Sequence, residues 1–172
     1  DFKSITITEL VKKADFNRGT FYAHYRTKED LLEEMIGEKL SQLKVALQEP
    51  YKNNQKISLQ ENAPSILPLF EHVFQNADFY KLLLDYHIMP GFQEQFCEVI
   101  RDHQTKILTE YKSKNHNIKR EIVVYYSSYS ILGMVLYWIR DGLSHSPRFM
   151  TEQIRQILLN RPDNIQIKTS LD

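Results

Sequence analysis

Seven residues, Arg18-Gly-Thr-Phe-Tyr-Ala-His24, gather four side chains able to read or grip a nucleic acid. Arg18 can donate two bonds to a guanine edge, and Thr20 offers a hydroxyl and a methyl group. Tyr22 and His24, with Lys28 beyond them, can hold phosphates, which sets register rather than sequence. Charge supports the same chemistry locally. Between Lys3 and Lys28 stand six bases (Lys3, Lys12, Lys13, Arg18, Arg26, Lys28) and two acids (Glu9, Asp15). Five acids and no base follow between Glu29 and Glu38. The basic face is short and sharply bounded.

Catalytic and metal chemistry find weaker support. The sequence has no phosphate-binding glycine loop, no nucleophile elbow and no His-Glu-x-x-His motif. Its six histidines (24, 72, 87, 103, 116 and 145) are scattered singly. His72, His87 and His103 lack close ligand spacing, so no metal or cofactor is expected. Glu94 and Glu98, one helical turn apart, suit a solvated face. Cys97 reads as a small buried hydrophobe, and a lone cysteine forms neither an intramolecular disulfide nor a cysteine-based zinc site. The expectation is a non-enzyme.

The elements that must position Arg18 and its neighbours are legible from caps and periodicity. Thr6-Ile-Thr-Glu9 is a capping box, with Ile5 and Leu10 at staple positions, and predicts a helix from Ile7 to about Ala14. Asp15-Phe16-Asn17 forms a tight turn, and Asn17 caps a second helix from Arg18 to about Tyr25. Phe16 and Phe21 repeat the staple spacing. Thr27-Lys-Glu-Asp30 starts a third helix, with acids at the positive end of its dipole. Two short helices joined by a three-residue turn, followed by a longer one, have the dimensions of a helix-turn-helix unit.

The stretch from Ile5 to Leu32 resembles the DNA-binding signature of TetR/AcrR-type transcriptional regulators. The Gly19-Thr-Phe-Tyr22 core, the aromatic Tyr25 and the Lys28-Glu-Asp-Leu31 helix start carry the resemblance. It implies that Thr6, Thr8, Asn17, Arg18, Gly19, Thr20, Tyr22, His24 and Lys28 lie at the DNA. It also implies a long connecting helix, an all-α ligand-binding and dimerisation domain, and bacterial-type cytoplasmic, nucleoid-associated location. One departure stands out. Asp15 occupies a turn position where the family usually has glycine, and Asp tolerates the left-handed conformation better than most residues. The resemblance also implies a first helix and a basic arm upstream of Asp1-Phe2-Lys3.

Further along, apolar residues recur at helical spacing with no sustained period-two alternation, so the chain reads as all-α. The expected divisions are a helix-turn-helix and connecting helix at 1–48, a linker at 49–62, a regulatory domain at 63–160 and a polar tail at 161–172. Pro90-Gly91 and Asp141-Gly142 break helices, and Ser146-Pro147 restarts one. Ile122 to Ile139 is eighteen residues without a formal charge, long enough to raise the question of a membrane span. Its serines and tyrosines oppose insertion; a helix buried on nearly all sides explains the run, and no membrane partner is expected.

The regulatory half is rich in aromatics, suited to a pocket with a few orienting polar groups. The resemblance implies a small-molecule effector there, and Phe74, Tyr86, His87, Phe92, Tyr126 and Tyr129 are the candidate lining. It also implies pairing of the last two helices with their two-fold mates, with Leu132, Leu136, Ile139, Ile154, Ile157 and Leu158 as candidate contacts. A homodimer spaces two reading helices about one DNA turn apart, as a palindromic operator requires.

Composition bounds these readings. The chain has 172 residues, 42% hydrophobic and 26% charged, with 22 bases against 22 acids. A formal charge of zero excludes binding by bulk charge and leaves a local patch as the route to DNA. The absence of a basic-then-apolar leader agrees with a cytoplasmic expectation. The expected function is a homodimeric repressor released from double-stranded operator DNA by an effector. The alternatives are an all-α enzyme or metal protein, and a helical interaction module with a vestigial DNA motif.

Overall fold

The computed structural model describes residues 2–51, 66–85, 88–107 and 118–159. Most of the expected linker (52–62), the turn at 112–117 and the tail at 161–172 lie outside the described residues. Among the described residues every regular element is helical.

The reading unit comprises α1 (Ile7–Lys13), α2 (Arg18–His24) and α3 (Lys28–Gln48). Each begins where the caps place it. Thr6 and Glu9 form the full capping box: the Thr6 amide donates to Glu9 Oε2 at 2.8 Å, and the Glu9 amide donates to Thr6 Oγ1 at 3.2 Å. Those bonds also hold the Glu9 carboxyl below its usual range. Thr27 and Asp30 repeat the arrangement at the start of α3. After α1 the chain reverses through Asp15 at φ 57°. The Phe16 amide reaches the Val11 carbonyl at 2.8 Å, and the Asp15 amide reaches Lys12 at 3.4 Å, the paired bonds of a left-handed helix end. The expected Phe16 staple is not made: Phe16 is 64% exposed. Phe21 packs instead against Tyr22 and Tyr25, with ring centroids 5.6 and 5.5 Å away.

The connecting helix α3 runs on into the body and closes with a 3-10 turn, Glu49–Tyr51. Its buried stripe of Ile36, Leu40, Leu43 and Leu47 faces α4 (Leu67–Gln75) and α6 (Phe92–Ile107). Between them lie α5 (Ala77–Tyr80) and a π-helical turn, Lys81–Asp85. The body is completed by α7 (Arg120–Arg140), packed along α6, and α8 (Pro147–Leu159), packed on α4. Gly91 and Gly142 take positive φ values of 82° and 70° at the predicted breaks. The Ser146 hydroxyl accepts from the Phe149 amide at 3.2 Å and caps α8.

The core is one cluster centred on Phe70, Tyr80, Phe92, Phe96 and Trp138. Trp138 is fully buried, edge-on to Phe70 at 5.4 Å, and its indole N–H donates to the His145 carbonyl at 3.0 Å. That bond ties the turn after α7 to the core and meets the need of a buried indole for a partner.

One expectation about α7 is corrected. By length and composition it is apolar enough to cross a membrane, but it is not buried on nearly all sides. Val124, Ser128, Ile131, Leu132, Val135, Trp138 and Ile139 form its buried face. Ile122, Tyr125, Tyr126, Tyr129 and Tyr137 stand exposed on the remainder. A face buried in the folded core explains the apolar run without a membrane span.

Candidate nucleic-acid interface

The geometry of α2 follows from its cap. The Asn17 side-chain oxygen accepts from the Thr20 amide at 2.8 Å. A Cβ on Gly19 would come within 3.1 Å of that same oxygen, so glycine there keeps the cap seated. Buried Phe21 anchors the helix and turns Arg18, Thr20, Tyr22 and His24 outward, all exposed. Arg18 Nη2 donates to the Tyr22 hydroxyl at 3.3 Å, and the guanidinium carbon lies 5.8 Å from the Tyr22 ring centroid. The two side chains are thereby oriented together, one turn apart.

On α1, Thr8 is exposed. Thr6 is also exposed, but its hydroxyl serves the capping box. Lys12, Lys13 and Arg26 add exposed cations around the same unit. Tyr25, which sequence reasoning placed in the motif without a function, donates from its hydroxyl to Glu34 Oε1 at 3.0 Å. It thus pins the end of α2 to the flank of α3.

Lys28 departs from its expected place. Its ammonium donates to the carbonyls of Phe2, Lys3 and Ile5 at 2.8, 2.9 and 2.8 Å, and lies 4.9 Å from the Phe2 ring centroid. An ammonium has three donors, and backbone carbonyls take all of them. Lys28 is a clamp between the segment ahead of α1 and the start of α3.

Among the described residues, the candidates for the pocket lining lie in different surroundings. Phe92 is fully buried in the core. Phe74 is 49% exposed and stacks on Trp138 from outside. Tyr126 is exposed, and Tyr129 donates to Glu94 Oε2 at 2.7 Å on the surface. Tyr86 and His87 lie outside the described residues. The reason is helical geometry: the tyrosines of α7 all lie on its exposed side, while Phe92 points into the core. A groove of about 530 Å³ lies instead between α3 and α6, lined by Gly37, Leu40, Ser41, Lys44, Gln95, Glu98, Val99 and Asp102.

Two of the expected dimer contacts need correction. Leu132 and Ile139 are 5% and 2% exposed and belong to the core of their own chain. Leu136 and Ile154 are half-buried against that core. Ile157 is exposed, and the side chain of Leu158 lies outside the described residues. The most regular apolar stripe is the one the chain buries for itself.

Among the described residues no three histidine, cysteine or acidic side chains gather as metal ligands. Cys97 is buried and unpaired, with its thiol pushed up in pKa by burial.

Comparison with known proteins places these features. Residues 1–35 match the family described as bacterial regulatory proteins, tetR family, and residues 60–160 match a transcriptional regulator C-terminal region of the same type. Over 158 residues the chain is 22% identical to an uncharacterized HTH-type transcriptional regulator, YxbF, of Bacillus subtilis (strain 168). That alignment takes in 92% of the chain but 40% of YxbF, so the chain spans two fifths of that relative's length. With both its reading unit and its helical body matched, the chain belongs to the TetR family of bacterial transcriptional regulators.

Proposed function

We propose that the chain acts as a homodimeric repressor that leaves a palindromic operator when a small molecule occupies its helical body. The observation that carries this reading is the exposed, pre-oriented Arg18–Tyr22 pair on a helix whose opposite face is anchored by Phe21. Arg18 and Thr20 read base edges from the major groove, while Tyr22, His24 and Thr8 hold phosphates. Thr6, Asn17 and Gly19 act by fixing the backbone that presents them. Lys28 holds the unit together.

Dimerisation brings two such units to one duplex through the exposed apolar face of α7, with Phe149 and Ile157 of α8 beside it. Release is a population shift: α3 is continuous from the reading unit into the body and packs on α4 and α6. An effector that favours one arrangement of those helices resets the spacing of the two reading heads.

Arg18→Ala is the direct test. Binding to fragments of the upstream genomic region, followed across a salt series, is expected to weaken about 5- to 150-fold, the loss of about 1–3 kcal/mol associated with one good bidentate base contact. Discrimination against unrelated DNA is expected to shrink with it. Unchanged affinity in this variant would remove α2 from the interface.

A further inference from the structure

The groove between α3 and α6 encloses about 530 Å³, inside the range of roughly 300–1,000 Å³ common to small-molecule sites. Its floor is apolar: Leu40 and Val99 are 9% and 4% exposed. Gly37 borders it from the interior of the 21-residue helix α3, where glycine is less favourable than alanine. A Cβ on Gly37 would meet no atom within 4 Å, so no neighbour in the chain requires glycine there. What the missing side chain preserves is open space beside the floor.

The walls decide the charge of an occupant. Two carboxylates of α6, Glu98 and Asp102, stand against one ammonium of α3, Lys44, which leaves one negative charge uncompensated. Lys44 Nζ lies 4.0 Å from Asp102 Oδ2, with both side chains more than half exposed, a pairing that contributes little. Glu94, one turn before Glu98, already accepts from Arg101 at 3.0 Å and from the Tyr129 hydroxyl at 2.7 Å. Among the described residues Glu98 has no such partner. Ser41 and Gln95 add neutral acceptor oxygens to the same lining.

These features select one chemistry. A primary ammonium carries the missing positive charge and three donors, enough for the Glu98 carboxylate and the oxygens of Ser41 and Gln95. A short apolar body attached to it covers Leu40 and Val99. An anion would meet both Glu98 and Asp102, and a neutral molecule would leave the charge unanswered. The groove also borders the route to the reading unit. Gly37, Leu40, Ser41 and Lys44 all belong to the connecting helix. Glu34, three residues before Gly37, accepts from the Tyr25 hydroxyl at the end of α2 at 3.0 Å.

We infer that the α3–α6 groove binds a small organic cation, a primary amine on a short apolar body, with Glu98 as its counter-charge. That this amine is the effector rests on the effector-responsive reading above. Its ammonium sits against Glu98, its body lies on Leu40 and Val99, and its presence between the two helices acts on α3 directly.

The test uses 4-fluorobenzylamine as probe, followed by its fluorine resonance in titrations of the full chain, with 4-fluorobenzyl alcohol and 4-fluorobenzoate as neutral and anionic comparators. Saturable binding of the amine is expected, about threefold or more tighter than the alcohol, with the benzoate weakest. Glu98→Gln, which keeps the shape of the side chain, is expected to weaken the amine by about the same factor and leave the alcohol unchanged. Lys44→Met is expected to tighten the amine, because it frees the Asp102 carboxylate. Gly37→Leu, checked for folding by circular dichroism, is expected to fill the groove and remove binding of amine and alcohol alike. Equal binding of amine and alcohol, unchanged amine affinity in Glu98→Gln, or weaker amine binding in Lys44→Met overturns the inference. No saturable binding by wild type also overturns it and leaves the groove to a basic segment of another protein. Anisotropy of labelled DNA with and without the amine separates the two readings: an amine bound through Glu98 that leaves DNA affinity unchanged counts against effector release, not against the site.

Discussion

At the scale of single residues, Lys28 shows how one side chain can look like a DNA contact and be something else. Its type and position suit a phosphate, but three carbonyl oxygens at 2.8–2.9 Å already surround it. The two roles differ in a measurable way. Each phosphate contact adds about 0.9 to the slope of log affinity against log salt. A clamp adds nothing to that slope, because its work is done inside the protein. Lys28→Gln is therefore expected to lower DNA affinity by a similar factor at every salt concentration, with the slope kept and the melting temperature reduced. A slope reduced by about one with no change in melting would restore Lys28 to the phosphates.

At the scale of elements, sequence and structure meet most closely where a local rule decides. Thr6, Asn17 and Thr27 each start a helix because a short side-chain oxygen satisfies a free amide, and that reach is three residues long. Asp15 and Gly142 turn the chain where the left-handed conformation is cheapest. The α7 tyrosines and the two corrected leucine and isoleucine contacts were not legible in the same way. A period of three and four marks a stripe, but not whether the chain's own core or a partner covers it. The His72–Tyr80 ring contact was hidden for a related reason: it forms only because α4 and α5 pack together.

The same scale supplies a test of the recognition helix. Asn17→Ala is expected to cost about 1 kcal/mol, the usual worth of such a cap. Gly19→Ala has two opposed effects: alanine favours helix by up to about 1 kcal/mol over glycine, while its Cβ crowds the Asn17 oxygen at 3.1 Å. Removing that oxygen removes the crowding. In a double-mutant cycle read by urea unfolding, Gly19→Ala is expected to stabilise more in the Asn17→Ala background than in wild type. Strict additivity would mean that glycine is not there for the cap.

At the scale of the whole molecule, the unanswered demand is the outer face of α7. Ile122, Tyr126, Tyr129, Gly133 and Tyr137 fall within one narrow stripe at roughly 100° per residue, and all are exposed. Tyr126 and Tyr137 are 66% and 56% exposed, near the two ends of that stripe, and Gly133 between them leaves room for close approach of a second helix. An apolar stripe of this length in an aqueous protein is a place for a partner, and a two-fold mate is what paired half-sites need. Tyr126→Lys with Tyr137→Lys places cations across that face without touching the core. The double variant is expected to sediment as a monomer where wild type sediments as a dimer, to keep its helical circular dichroism, and to lose operator affinity by the factor that bivalency supplied. Leu132→Ala is the control, because Leu132 belongs to the core. It is expected to cost about 2–5 kcal/mol of folding stability before it alters assembly. A double lysine variant that still sediments with wild type would move the dimer contact off α7 and leave this face to another protein.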